Sequence, residues 1–169
     1  MPEKPGVLRI AVASGKGGTG KTTVAACLAQ LSCSGLRTRL LDCDVEGPNA
    51  HLFFPGEFTE QQPVEIRIPR IDEGGCTACG ECAAVCQYHA IVLLKSKPVV
   101  FPDLCHGCGS CSLVCPEGAI REVSRRIGLL QRGQVQSQLT IQQGELDIGQ
   151  PLAVPVIAEL KAWELDVEM

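Results

Sequence analysis

Eight of the eleven cysteines fall between positions 76 and 115, in two groups that share one spacing. Cys76, Cys79, Cys82 and Cys86 read C-x2-C-x2-C-x3-C, and Cys105, Cys108, Cys111 and Cys115 read the same. Thiolates at such steps are soft metal ligands. The opening Met1-Pro2-Glu3-Lys4-Pro5 lacks the apolar run of a secretory signal, so a cytoplasmic, reducing setting is expected, where metal binding outcompetes disulfides. Tetrahedral zinc asks for two C-x2-C pairs per ion. Three evenly spaced cysteines plus a fourth, present twice, favour two 4Fe-4S clusters, with zinc or disulfides as the alternatives.

More than cysteine recurs at this offset of 29 residues. Pro69 matches Pro98, Gly80 matches Gly109, Val85 matches Val114, Ala90 matches Ala119 and Ile91 matches Ile120. Two copies of one structural unit are the simplest account. The second run continues into Pro116, and residues 64–124 resemble two-cluster bacterial-type ferredoxins. That resemblance implies a ferredoxin-like α+β module in which each fourth cysteine serves the neighbouring cluster. One cluster would take Cys76, Cys79, Cys82 and Cys115, and the other Cys105, Cys108, Cys111 and Cys86. Gln87 stands where the first motif would carry proline, a change expected to alter the local turn and the cluster's hydrogen bonding. Cys27, Cys33 and Cys43 lie outside the motifs and are expected to be small buried residues.

A second constellation precedes the first. Gly15-Lys16-Gly17-Gly18-Thr19-Gly20-Lys21-Thr22 satisfies G-x-x-x-x-G-K-[ST]. Such a loop, extended here through Thr23, turns successive N–H groups toward phosphate oxygens, and a following helix adds its positive end. Lys21 is expected to reach the outer phosphates of ATP, and Thr22 to hold Mg2+. A chance glycine-rich turn is the alternative. The extra Lys16 gives K-G-G-x-G-K-T, which resembles the deviant Walker A loop of the MinD, Mrp and nitrogenase-iron-protein ATPases. In that group the early lysine contacts nucleotide across a dimer interface, so the resemblance implies a homodimer; an exposed lysine without such a role is the alternative. Asp42-Cys43-Asp44-Val45-Glu46-Gly47-Pro48-Asn49 looks like that group's switch region, with Asp44 the favoured acidic residue for placing the metal-bound or attacking water and Asp42 the weaker choice. The order of motifs resembles MinD-superfamily ATPases that carry an inserted ferredoxin domain. An acidic D-x-P-P-G segment after a further strand is not seen, and Glu164, Asp166 and Glu168 follow no apolar strand. ATP binding is therefore expected and turnover is not.

These side chains need elements to hold them. The apolar run at residues 7–13 suggests a buried strand ending at the glycine loop. Val24, Cys27, Leu28 and Leu31 recur at helical steps, with Gly35 as the cap. Thr38 to Asp42 suggests a second strand, paired parallel with the first through a right-handed crossover. Pro55, Gly56 and Pro63 break the pattern before the cysteines. After residue 124, Ile127 to Leu130 and Val135 to Ile141 suggest strands, and Pro155 a helix start ahead of Val156, Ile157, Leu160 and Trp163. The expected class is α/β: a partial P-loop domain with a parallel sheet at residues 1–62 and 125–169, interrupted by a ferredoxin module at 63–124.

Composition bounds the function. Apolar residues make up 45% of the 169, charged residues 20%, and the net charge is −4, which gives no basic surface for nucleic acid. No apolar stretch has the roughly 20 residues a membrane helix requires. Two functions fit: a nucleotide-regulated iron-sulfur protein acting in electron transfer or cluster delivery, and a simple electron carrier whose ATPase half is inactive. The expected partners are a redox or cluster-acceptor protein, a second copy, or a completing ATPase subunit.

Overall fold

The structure, a computed structural model, describes residues 6–163; the opening Met1 to Pro5 and the acidic Glu164, Asp166 and Glu168 lie outside them. A four-stranded sheet runs in the order β1-β6-β5-β2, where β1 is Thr38–Asp42, β2 Glu60–Ile71, β5 Ile120–Gln136 and β6 Leu139–Leu146. Helix α1 (Lys21–Ser32) covers one face and α4 (Ala153–Ala162) the other. Alternation along β6 feeds both layers: Leu139 and Ile141 pack with Ala26, Ala29, Cys33 and Phe54, while Gly144 faces Val156 of α4. On the α4 side Val64, Ile66, Ile127, Leu130, Val156 and Leu160 form the larger core.

The α/β class is as expected, and parallel pairing is confined to β1 with β6, from Thr38↔Leu139 to Asp42↔Gln143. Both β5–β6 and β2–β5 are antiparallel. Residues 7–13 form no strand, and Val7, Leu8 and Ile10 are 54%, 81% and 62% exposed. The expected parallel pair between that run and Thr38 to Asp42 is thus replaced by β1–β6. Strands of a parallel sheet are buried on both faces, and Val7, Leu8 and Ile10 find no such cover. The face of α1 is corrected for the same reason. Val24, Cys27, Leu28 and Leu31 are exposed, whereas the small Ala26 and Ala29 are buried with Cys33. Cys27 is therefore not a core residue. Cys33, rather than Gly35, caps the helix, with its N–H donating to the Ala29 carbonyl.

Strand β2 carries Pro63 and Pro69, tolerable because β2 is a sheet edge and needs no donor on its outer side. Its ladder with β5 runs from Glu60↔Arg132 to Ile71↔Ile120 and crosses both expected domain borders, at 62/63 and 124/125. A bulge between Val64 and Glu65 leaves Ile127 unpaired and fully buried. The expected strands at 127–130 and 135–141 are portions of β5 and β6, separated by a turn at Ser137-Gln138. Helix α4 begins two residues before Pro155, which sits within the first turn, where its missing N–H has no intrahelical partner to lose.

The cysteine-rich part holds α2 (Glu81–Val85), β3 (Ile91–Leu94), β4 (Lys97–Val100) and α3 (Ser110–Val114). Strands β3 and β4 make a hairpin whose turn residues Lys95 and Ser96 both have positive φ. The duplication is visible in the pairing. Ile91↔Val100 in that hairpin corresponds, 29 positions on for one partner and back for the other, to Ile120↔Ile71 in the long ladder. The last strand of each copy therefore pairs with the first strand of the other.

Candidate metal and nucleotide sites

Each five-residue helix of the duplicated unit starts from a left-handed glycine, Gly80 (φ 86°) and Gly109 (φ 75°). The sharp turn there lets the preceding cysteines fold back toward the helix. Two pockets result. Cys76, Cys79, Cys82 and Cys115 line the first; Cys86, Cys105, Cys108 and Cys111 line the second. Every residue lining the first, Ile71 excepted, has its counterpart 29 positions away lining the second. All eight cysteines are free thiols. Among the described residues no three His, Cys, Asp or Glu side chains converge on a point that would hold a single metal ion.

The walls suit a thiolate-bound centre. The backbone N–H of Ala90 donates to Cys86 Sγ at 3.3 Å, and that of Gly107 donates to Cys105 Sγ at 3.4 Å. Such donors stabilise negative charge on sulfur. Ile91 and Ile120 pack with Cys82, Cys111 and Cys115 in an apolar cluster behind the pockets. Burial pushes the Cys82 and Cys111 thiols up, and at Cys111 the Ser112 hydroxyl and backbone pull back down. The Cys108 thiol is held below the ordinary value by the hydroxyl and backbone N–H of Ser110. The Cys108 thiol donates to Ser110 Oγ at 3.5 Å. Tyr88 and His106 stack over the second pocket, with ring centroids 3.6 Å apart and planes 5° apart. The sequence analysis did not single out Ser110, Ser112, Tyr88 or His106. Comparing the two copies position by position would have found them, because Glu81, Ala83, Glu117 and Thr77 stand at the equivalent places.

The glycine loop, Gly15 to Gly20, is exposed and runs into the amino end of α1. Gly20 takes a left-handed turn (φ 87°), its carbonyl accepts from the Val24 N–H at 3.0 Å, and no side chain caps the helix. No acidic residue stands in the first turn. Those N–H groups and the helix dipole are thus open to an anion. Within the loop Ser14 Oγ donates to the Lys16 carbonyl and Thr19 Oγ1 to Ser14 Oγ, each at 2.8 Å. Lys16 and Thr23 are exposed, whereas Lys21 and Thr22 are half-buried on the helix.

At the end of β1 the two acidic candidates part. Asp42 is buried, and its carboxylate accepts from the N–H groups of Asp44, Asn49 and Ala50 at 2.9 to 3.0 Å. It clamps the loop. Asp44 is exposed.

A family model for the CobQ/CobB/MinD/ParA nucleotide-binding domain matches residues 10–158, most of the chain. The chain belongs to this family. An uncharacterized protein of Methanocaldococcus jannaschii is 36% identical over 157 residues, 92% of this chain and 54% of that protein. Iron-sulfur cluster carrier proteins of Aquifex aeolicus and Deinococcus radiodurans are 58% identical over 52 residues and 49% over 60. Those matches cover 30% and 34% of this chain, and 14% and 17% of the relatives. The chain spans about half the length of the first relative and a smaller part of the carriers. Membership accounts for the phosphate loop at the start of α1. Among the described residues no helix is long and apolar enough to cross a membrane.

Proposed function

We propose that the chain is a nucleotide-responsive iron-sulfur protein that carries two 4Fe-4S clusters and binds Mg2+-ATP, and that acts in electron transfer or cluster handling. The observation that carries this reading is the pair of matched pockets, each lined by three cysteines of one motif and the fourth of the other. Cys76, Cys79, Cys82 and Cys115 hold one cluster; Cys105, Cys108, Cys111 and Cys86 hold the other. When bound, such a cluster supplies reversible one-electron chemistry. Gly15 to Thr23 receive the nucleotide phosphates, Lys21 and Lys16 neutralise them, Thr22 ligates Mg2+, and Asp44 faces the metal-bound water. The β2–β5 ladder joins the sheet to the cysteine module, which gives nucleotide a rigid route to the clusters. The names of the carrier relatives favour cluster handling as the use of that route.

The partners follow from two surfaces. Residues 7–13 and the outer side of α1 leave Leu8, Ile10, Val24 and Leu31 exposed, an apolar face beside the phosphate loop. Polypeptide of the same family, a completing ATPase subunit or a second copy brought in through Lys16, covers it. A redox or cluster-acceptor protein docks at the cysteine module.

The test is iron and acid-labile sulfide per chain after anaerobic purification, with ATP binding and cluster potential measured on one sample. About eight irons are expected, with a potential or transfer rate that changes on adding Mg2+-ATP and does not change in Lys21→Ala. Zinc in place of iron sinks the reading. Full iron without any nucleotide effect leaves the simple electron carrier, a reading favoured by the lack of a paired strand behind the glycine loop at residues 7–13.

A further inference from the structure

The two pockets share a backbone plan and differ in what touches sulfur. In the second copy Ser110 Oγ lies 3.5 Å from Cys108 Sγ. Ser112 Oγ, next in sequence to Cys111, is buried without a hydrogen-bond partner. The first copy has Glu81 and Ala83 at those positions, neither of which offers a hydroxyl. Once Cys108 has lost its proton as a ligand, the Ser110 hydroxyl turns to donate to its sulfur, and the unpartnered Ser112 hydroxyl is left free to donate toward the same centre. Donors to cluster sulfur stabilise the electron-rich state and raise the potential.

Charge points the same way. The carboxylate Glu117 lines the first pocket with no cation among its lining residues. Glu122 lines the second together with Arg67, whose guanidinium donates to the Glu122 carbonyl at 3.2 Å. That contact is to backbone and not to the carboxylate, so what separates the pockets is the sum of their lining charges: one negative charge at the first, one of each sign at the second, and net negative charge disfavours an added electron. The Tyr88–His106 stack works in the opposite direction, because excluding water disfavours added charge. Both rings are exposed at the rim, so the direct contact of the Ser110 hydroxyl with Cys108 sulfur dominates.

We propose that the pocket of Cys86, Cys105, Cys108 and Cys111 holds the higher-potential of the two centres, so that the first electron entering the protein rests there. This rests on the iron-sulfur reading above. The step is a single electron from an external one-electron reductant, such as reduced viologen, to that centre. It needs no proton, and no bond forms or breaks.

The experiment is an anaerobic reductive titration of the cluster-loaded protein with viologen mediators, followed by electron paramagnetic resonance. Two midpoints are expected. Ser112→Ala and the pair Ser110→Ala with Ser112→Ala lower the upper midpoint and leave the other in place; Ala83→Ser raises the lower one. Serine variants that move the lower midpoint, or neither, overturn the inference while full iron content leaves the iron-sulfur reading standing. Absence of iron overturns both.

Discussion

Asp42 reaches eight positions along the chain to accept the backbone N–H of Ala50 through Oδ2 at 2.9 Å. The same oxygen takes the Asn49 N–H, and Oδ1 takes that of Asp44. One carboxylate therefore fixes both ends of the segment that presents Asp44. Asp42→Ala strands a buried donor at Ala50, at a cost of about 1–3 kcal/mol. Asp42→Asn does not rescue it, since an amide turns N–H toward N–H on one side. Urea unfolding and limited proteolysis of residues 43–50 read both effects, and a wild-type midpoint in Asp42→Ala contradicts the clamp.

Gly133 has no room for a methyl group. A Cβ there would sit 2.2 Å from the Glu57 carbonyl oxygen, which is backbone and cannot rotate away. Gly133→Ala should lower stability by about 1–3 kcal/mol, as overpacking does. Gly35→Ala, with nothing within 4 Å of its Cβ, serves as the matched control. Equal denaturation midpoints for the two variants would show that the approach of residue 57 to β5 is loose.

Thiol chemistry of the cluster-free chain should be uneven. Ser110 holds the Cys108 thiol down, whereas burial raises Cys82 and Cys111. Alkylation by iodoacetamide is thus expected at Cys108 at lower pH than at Cys82 or Cys111, and Ser110→Ala should delay it. The sign for stability follows from the raised pair. Their contribution is full below the ordinary thiol value of about 8.5 and is lost as pH rises through their higher folded values. Peptide-resolved labelling that finds Cys82 fastest would contradict this order.

The duplicated backbone has left-handed residues at equivalent places. Ala78 (φ 56°) matches Gly107 (φ 67°), and His89 (φ 51°) matches Gly118 (φ 59°). The first copy thus bears strain that glycine relieves in the second, at about 1–2 kcal/mol per site. Part of the relief is offset by the greater freedom of glycine in the unfolded chain, so Ala78→Gly should stabilise by about 0.5–1 kcal/mol. Gly107→Ala should destabilise, because its Cβ would also lie 3.0 Å from the Arg67 carbonyl oxygen. Denaturation midpoints moving in the same direction for both variants would refute the argument.

What the sequence shows well is what repeats. The cysteine spacing, the 29-residue offset and the glycine loop are local patterns, and the structure gathers them into two pockets and one helix start. Residues 7–13 and the apolar stripe of α1 read as buried, because periodicity reports which side chains would profit from burial. Whether a neighbour exists to bury them is a separate matter. The parallel pairing of β1 with β6 joins residues about a hundred positions apart, which no local pattern encodes. Ser110 and Ser112 escaped notice because a serine is ordinary in isolation and informative only against its counterpart in the other copy.

Along the β2–β5 ladder Pro69 pairs with Glu122 and Ile68 with Val123, just beyond the core residues Val64, Ile66 and Ile127. Topologically, everything between is the tip of one antiparallel hairpin that leaves the sheet and returns to it at adjoining points. A segment tethered in this way makes few demands on its host: excising it needs only a tight turn to rejoin the two strands, and transplanting it needs only another hairpin to lengthen. The cysteine module is in that sense a portable cassette, one that a lineage could gain or lose in a single event without reordering the sheet beneath it.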